Sequence, residues 1–344
     1  MIEAKTIKDK LKRELIKVFD EINNEYYLSD RYPFLFEATK EYIFRESKML
    51  RPILMVIIYS SYANKITKDI IRSALGFELL HNCALIHDDI IDDSKFRRGG
   101  LALHNLYDSM SGINNMQQKT GKDLALISGD IFYALGLKYF MEIKTDKKLK
   151  EKAINNILDT AIKTGLGEFG EIVLMAEDIK KIKKEKIMQI YDLKTSYYTL
   201  ISPMYTGAIL AKALKKDCDI LKLMGSHIGR AFQIKNDIKD LDSKSNRRFE
   251  DIKMKTRNIL LYYAYNNSND SQTKLIESIY NKENPSEKDC LAMANIYEET
   301  NTLKLARKEI EKNIKKAFSC IEKLEMDKNK KDNLKNYFTE VLKA

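Results

Sequence analysis

Apolar residues recur every three or four positions over residues 3–23, and that spacing predicts an amphipathic helix at the start of the chain. Pro33 breaks the stretch that follows, and a second helix is expected through Glu37–Glu46. SKMLRPILM, from Ser47, reads as a helix start with Pro52 near the first helical position. Gly76–Gly100, GFELLHNCALIHDDIIDDSKFRRGG, reads as the end of one long helix followed by a basic turn. Its body is mostly apolar: Leu79, Leu80, Ala84, Leu85, Ile86, Ile90 and Ile91. Residues 111–121 are loop-like, and Asp123–Phe140 is the next helix. Residues 161–176 and Tyr191–Leu210 continue the helical pattern. From Leu260 onward helices are joined by polar turns at Asn266–Asp270 and Asn281–Lys288, and Thr302–Leu324 is a clear amphipathic helix. No sustained alternation of strand type occurs.

Composition agrees with that pattern. There are 13 Gly and 4 Pro in 344 residues, and no Gly follows Gly229, which favours long helices over sheets. The fold class expected is all-α, a single domain over residues 1–344, with 44% hydrophobic residues to form a large core. The net charge of +10 is spread among acids, so it reads as solvated helix faces, and no nucleic-acid motif accompanies it. A weak attraction to anionic membrane surfaces is the most it suggests. Cys83, Cys218, Cys290 and Cys320 are scattered without a CxxC pair and read as reduced thiols of a cytoplasmic protein. The charged start excludes a signal peptide, and no run of about 18 apolar residues predicts a membrane span.

The chemistry lies in the acids. Asp88 and Asp92 are i and i+4 on one helix face, a repulsive spacing unless a cation lies between them. Oxygen ligands at this density suit Mg²⁺, held by one or two carboxylates plus substrate phosphates. Arg97 and Arg98 follow, and guanidinium groups are good diphosphate partners. A second cluster stands in GRAFQIKNDIKDLD, where Asn236 and Asp240 are again i and i+4 and Asp237 lies beside them. Two facing acidic helices would hold Mg²⁺ around one diphosphate.

At these residues the chain resembles the trans-polyprenyl diphosphate synthases. Asp88, Asp89 and Asp92 form the family's DDxxD, and Arg97, Arg98 and Gly99 its RRG. The resemblance spans roughly residues 40–265. It implies the isoprenoid synthase fold, a bundle of long helices around a deep central cavity. It also implies that Lys48, Arg51, His81 and Arg98 bind the diphosphate of isopentenyl diphosphate. Two departures stand in that turn: Glu46 and Ser47 replace two glycines. Gly129 and Asp130 resemble an LxGD helix, where the glycine permits close packing. Gly170 with Glu171, and Lys194 with Thr195, match positions that face the allylic substrate; Gln233 joins that set. The second motif departs most, with Asn236 for the usual Asp and a basic loop, Ser243–Asn258, without glycine. Lys244, Arg247, Lys253, Lys255 and Arg257 are its candidate cations.

The implied reaction is head-to-tail condensation. Asp88, Asp92, Asn236, Asp237 and Asp240 would hold Mg²⁺, while Arg97 and Lys194 would stabilise the diphosphate leaving an allylic substrate. Isopentenyl diphosphate would then attack the cation in a homodimeric enzyme. Rival readings are a terpene cyclase, a peptide prenyltransferase and an inactive subunit that modulates a synthase. Ala84 lies one turn below Asp88, Cys83 beside it, and Phe77 roughly 16 Å down the same face. Small residues at 83 and 84 with an aromatic floor at 77 imply a product near geranylgeranyl diphosphate.

Overall fold

In the computed structural model, residues 4–110, 120–242 and 248–343 are described. Helix α1 (Ala4–Tyr26) forms where the apolar spacing predicts it and buries Ile7, Leu11, Leu15, Val18, Phe19 and Ile22 on one face. After the single turn α2 (Leu28–Arg31), α3 (Pro33–Phe44) starts at the proline expected to break the chain. Proline's fixed φ and missing N–H suit the first helical turn, so Pro33 begins the helix four residues earlier than the pattern suggests. Helix α4 (Leu50–Ala63) is buried along most of its length. Helix α5 (Lys68–Ile91) runs 24 residues from a Thr67 cap to the aspartate motif.

Two corrections follow α5. The basic turn is a small antiparallel hairpin, β1 (Phe96–Arg97) with β2 (Gly100–Leu101). Beyond it lies a helix not foreseen from sequence, α6 (Leu103–Met110). Helix α7 (Thr120–Met141) begins before Gly121, which therefore lies in a helix and not in the loop. Residues 111–119 of that loop lie outside the described residues.

Helix α7 is 22 residues long and, by length and composition alone, apolar enough to cross a membrane, a test that the core helix of a globular protein also passes. Glycine at two crossings sets it against α5. A Cβ on Gly76 would lie 2.7 Å from the Gly136 carbonyl oxygen, and one on Gly129 would overlap the His87 ring. The crossing therefore needs hydrogen at both Cα atoms.

Helix α8 (Lys147–Met175) carries its three glycines without interruption. A 3₁₀ turn, Ile179–Lys181, leads to α9 (Lys184–Tyr191). The next ten residues, Asp192–Ile201, form a π-helix, with hydrogen bonds spanning five residues, before α10 (Ser202–Leu210). Helix α11 (Lys215–Lys239) carries the second acidic cluster at its end. The short α12 (Glu250–Lys253), then α13 (Ile259–Asn267), α14 (Asp270–Tyr280), α15 (Glu287–Glu299), α16 (Thr302–Glu322) and α17 (Lys328–Lys343) complete the chain. The polar turns expected before α14 and α15 stand where the pattern places them; Asn269 and Ser286 close them as capping boxes.

Contacts divide the chain into two compact units, residues 1–154 with 207–212, and residues 155–206 with 213–344. The first holds α1–α7. The second holds a core that includes Ile187, Ile234, Leu260, Ile276, Met293 and Ala306.

Candidate active site

In the first unit the site begins at the end of α5. Asp88 and Asp92 are linked by the last helical hydrogen bond, Asp92 N–H to the Asp88 carbonyl at 2.9 Å. Asp89, 100° further round the helix, points inward and is fully buried. The hairpin brings Arg97 back to it. Arg98 and Gly99 both have positive φ, 50° and 80°, the geometry of a two-residue hairpin turn. Arg45 straps the hairpin, donating to the carbonyls of Arg97 (2.8 Å) and Leu101 (2.7 Å). Arg97 Nε then donates to both oxygens of Asp89, at 2.8 and 3.0 Å, and Nη2 reaches Asp88 Oδ2 at 3.2 Å. Hydrogen bonds and charge from Asp89 hold Arg97 protonated despite burial. One arginine thus neutralises the inner aspartate and leans on the outer one.

The neighbouring face is cationic. Arg98 Nη1 donates to Asn82 Oδ1 (3.1 Å), and Nη2 lies 3.4 Å from the buried Glu78 carboxylate. Ser47, in the turn before α4, also donates to Glu78, at 3.1 Å. Glu78 was not singled out from sequence; it ties that turn to the hairpin arginine. His81 lies among Arg51, Arg98 and Arg97, and burial followed by those charges pushes its pKa well down. It is neutral at pH 7 and can donate through one ring nitrogen while accepting at the other. Lys48 is exposed on the same turn. Glu46, one of the two replacements for glycine, is drawn to Lys8 (2.5 Å) and Lys12 (2.7 Å).

Below the motif, Cys83 is buried and its thiol is pushed up to about 11 by burial. Ala84 is half-buried, and Phe77 packs edge-on against Phe140 with ring centroids 4.9 Å apart. His87 sits over Gly129 with its Nε2 3.3 Å from the Leu126 carbonyl, and Asp130 is exposed 3.7 Å away.

The second unit gathers the remaining candidates. The π-helix directs Lys194 to Glu171 and, at 2.8 Å, to Glu168, which sequence reasoning missed. Thr195 donates to Gln233 Oε1 (2.6 Å), and Gln233 Nε2 donates to Asp237 Oδ1 (2.9 Å). The Tyr191 hydroxyl donates to the other oxygen of Asp237 and accepts the Ile259 N–H at 3.0 Å. Asn236 is exposed. Asp240 accepts the N–H groups of Glu250 (3.0 Å) and Asp251 (3.2 Å), which starts α12.

Asp251 is the third residue sequence reasoning missed, because nothing local marks it. Its carboxylate accepts from Asn258 at 2.9 Å and is pushed up to about 7, by burial and then by Asp240. Asp240 is pushed up to about 6, mainly by burial, and burial with Asp251 raises Asp237 well above the usual range. Three crowded carboxylates short of positive charge are a place for a cation. Of the loop cations, Lys244 and Arg247 lie outside the described residues. Arg257 is buried over the Tyr280 ring, 4.9 Å from its centroid, and Lys255 caps the Lys282 carbonyl at 3.1 Å; both serve the fold. Lys253 is exposed.

Among the described residues no three His, Cys, Asp or Glu side chains already close around a point as a finished metal site. The oxygen-only donors at Asp88 and Asp92, and at Asp237, Asp240 and Asp251, nevertheless fit Mg²⁺. That ion keeps several waters and takes substrate phosphates as its other ligands.

The sequence profile described as polyprenyl synthetase matches residues 33–298. The short chain isoprenyl diphosphate synthase of Methanocaldococcus jannaschii is 28% identical over 276 residues, covering 79% of this chain and 78% of that protein. The geranylgeranyl diphosphate synthase of Sulfolobus acidocaldarius is 25% identical over 276 residues, 78% of each chain. Among solved structures, geranylgeranyl pyrophosphate synthase from Corynebacterium glutamicum, complexed with isoprenyl diphosphate and magnesium, superposes with a TM-score of 0.85 at 18% identity, over 98% of both chains. The all-α fold is therefore the isoprenoid synthase fold.

Proposed function

Since the chain belongs to the polyprenyl synthetase family, a family of prenyltransferases, we propose that it condenses isopentenyl diphosphate head-to-tail with an allylic diphosphate. The product is an (E)-polyprenyl diphosphate near geranylgeranyl length. The observation that carries this reading is the paired arrangement at α5. An acidic helix end, Asp88 and Asp92, adjoins a cationic face of Arg51, Arg98 and neutral His81. That pairing supports two chemically distinct seats for two diphosphates, which a cyclase acting on one substrate does not need.

Asp88 and Asp92 in the first unit, and Asp237, Asp240 and Asp251 with Asn236 beside them in the second, would hold Mg²⁺, which when bound would supply positive charge for a leaving diphosphate. Arg97, fixed by Asp89, presents preorganised positive charge beside that seat, so little reorganisation is needed as charge develops. Arg51, Arg98 and Lys48 bind the isopentenyl diphosphate, and His81 orients it by a neutral hydrogen bond. Lys194, held between Glu168 and Glu171, presents an ammonium to the allylic diphosphate. Thr195 and Gln233 set the polar wall next to it. The leaving diphosphate accepts the proton released at the end, so no protein base is required. The match over residues 33–298 runs through both units and supports one functional domain. All four cysteines are free and buried, which suits a reducing, cytoplasmic setting. A second copy of the chain is the partner that exposed apolar residues on α8 favour.

Purified chain, Mg²⁺, isopentenyl diphosphate and dimethylallyl, geranyl or farnesyl diphosphate should give longer prenyl diphosphates, read by chromatography after dephosphorylation. Hydrocarbon released from a single prenyl diphosphate would replace this reading with a cyclase. No product from any pair would replace it with a silent subunit.

A further inference from the structure

At the end of α5 remote from the aspartates, α1 and the start of α5 border a cavity of about 420 Å³. Twenty residues of helix rise separate its rim from Asp88, about 30 Å. Lys10, Arg13 and Lys17 stand at i, i+3 and i+7 on α1 and so share one face. Lys68, the first residue of α5, completes the rim, and Ile66 and Ile71 form an apolar wall. Four cations and one carboxylate, Glu14, line the cavity, three net positive charges; Glu21 also lies near Lys17 and Lys68 but is paired with Arg72. Glu14 is only 6% exposed and is already engaged by Arg72 at 3.4 Å, with Lys17 and Lys68 at 3.6 and 3.9 Å. The first turn of the 24-residue α5 adds its dipole to the same spot, part of it met by Asp69 in that turn. On the neighbouring face of α1, Lys8 and Lys12 are matched by Glu46. Around the cavity, the charge balance points to an anion from outside the chain.

We propose that this cavity binds a phosphate- or diphosphate-bearing head, from a lipid bilayer or free in solution. The Ile66 and Ile71 wall takes the first carbons of any attached chain. The site stands apart from the condensation site and does not require that reaction.

Inorganic diphosphate and phosphatidylglycerol vesicles are the two probes, with phosphatidylcholine vesicles as the blank. Hydrogen–deuterium exchange of the full chain, without divalent metal, should slow across α1 and the first turns of α5. Protection by vesicles alone assigns a membrane lipid; protection by diphosphate alone assigns a soluble anion; protection by both assigns the shared head. Arg13→Gln with Lys17→Gln should weaken binding of the effective probe about 30-fold, at roughly fivefold per cation beside an anionic surface. Turnover with soluble substrates should be unchanged. Lys147→Gln with Lys148→Gln removes the same charge elsewhere and should cost less than about threefold. No protection with either probe, or equal losses in the two double variants, would overturn the site.

Discussion

At the scale of single residues, the two adjacent aspartates of the motif have opposite tasks. Asp88 is partly exposed and shares one guanidinium contact; Asp89 is buried and holds Arg97 through both oxygens. Asp88→Ala should therefore leave a folded protein whose turnover falls by about 10³, the scale of losing a main charge-stabilising group. Asp89→Ala should instead strand a buried arginine and cost about 3–5 kcal/mol of stability, read by urea unfolding. Equal stability of the two variants would contradict this division. The motif was legible in the sequence, but the inward turn of its second aspartate depends on the hairpin return of Arg97, which no local pattern encodes. Asp251 was illegible for the same reason. Its raised pKa has a thermodynamic consequence. Asp240 and Asp251 bind protons more tightly in the folded chain, near 6 and 7, than in an unfolded one, near about 4. Their contribution is fully present below about pH 4 and is lost as pH rises through 6 and 7. Metal-free protein should thus lose stability across that window, and Asp251→Asn should flatten the loss. An identical slope in wild type and variant would show that Asp251 is not the group responsible.

At the scale of elements, helix existence was legible and helix detail was not. Apolar spacing located α1 and α16, where one stripe is buried, while α5 and α7 were legible from their apolar content, α5 being buried on nearly every side, and only the second half of α8 was read as helix. The π-helix was invisible, since it shifts side chains without changing composition, yet it sets where Lys194 and Thr195 stand. It also brings Ser196 so close to α11 that a Cβ on Gly229 would lie 2.3 Å from its hydroxyl. The glycines separate into two kinds. Gly76→Ala would drive a methyl against Phe140 and the Gly136 carbonyl, and should cost about 1–3 kcal/mol. At Gly165, on α8, a Cβ meets nothing within 4 Å, so Gly165→Ala should add about 0.5–1 kcal/mol. Denaturant midpoints that moved together in the two variants would show that the α5–α7 approach is not the constraint. Under the function proposed above, α5 would be the ruler for product length. Ala84 is half-buried one turn below Asp88, so Ala84→Phe should shorten the main product, measured by chromatography. Phe77→Ala is a poorer probe than the sequence suggests, because the ring is part of the packing against Phe140.

At the scale of the whole molecule, an apolar face of α8 is left uncovered by the described residues. On α8, Ile162, Leu166, Phe169 and Val173 are 63, 57, 67 and 43% exposed. Their spacing of four, three and four residues puts them within about 60° of one another around the helix, a continuous apolar stripe. Scattered exposed apolar residues are ordinary, but an ordered stripe marks an interaction surface. A second copy of the chain is the occupant proposed here, because a face shared by identical chains can pair with itself about a twofold axis. Composition alone gave no hint of it: the stripe reads like any buried helix face until the fold shows which side is left uncovered. Leu166→Asp with Phe169→Asp would place two carboxylates per chain inside that contact, each costing several kcal/mol to desolvate. At micromolar concentration, sedimentation should give the mass of two chains for the wild type and of one for the double variant. The variant should stay folded, since both side chains are solvent-exposed in the isolated chain. A wild type that sediments as a single chain, or a double variant that still sediments as a pair, would show that this stripe does not join two copies.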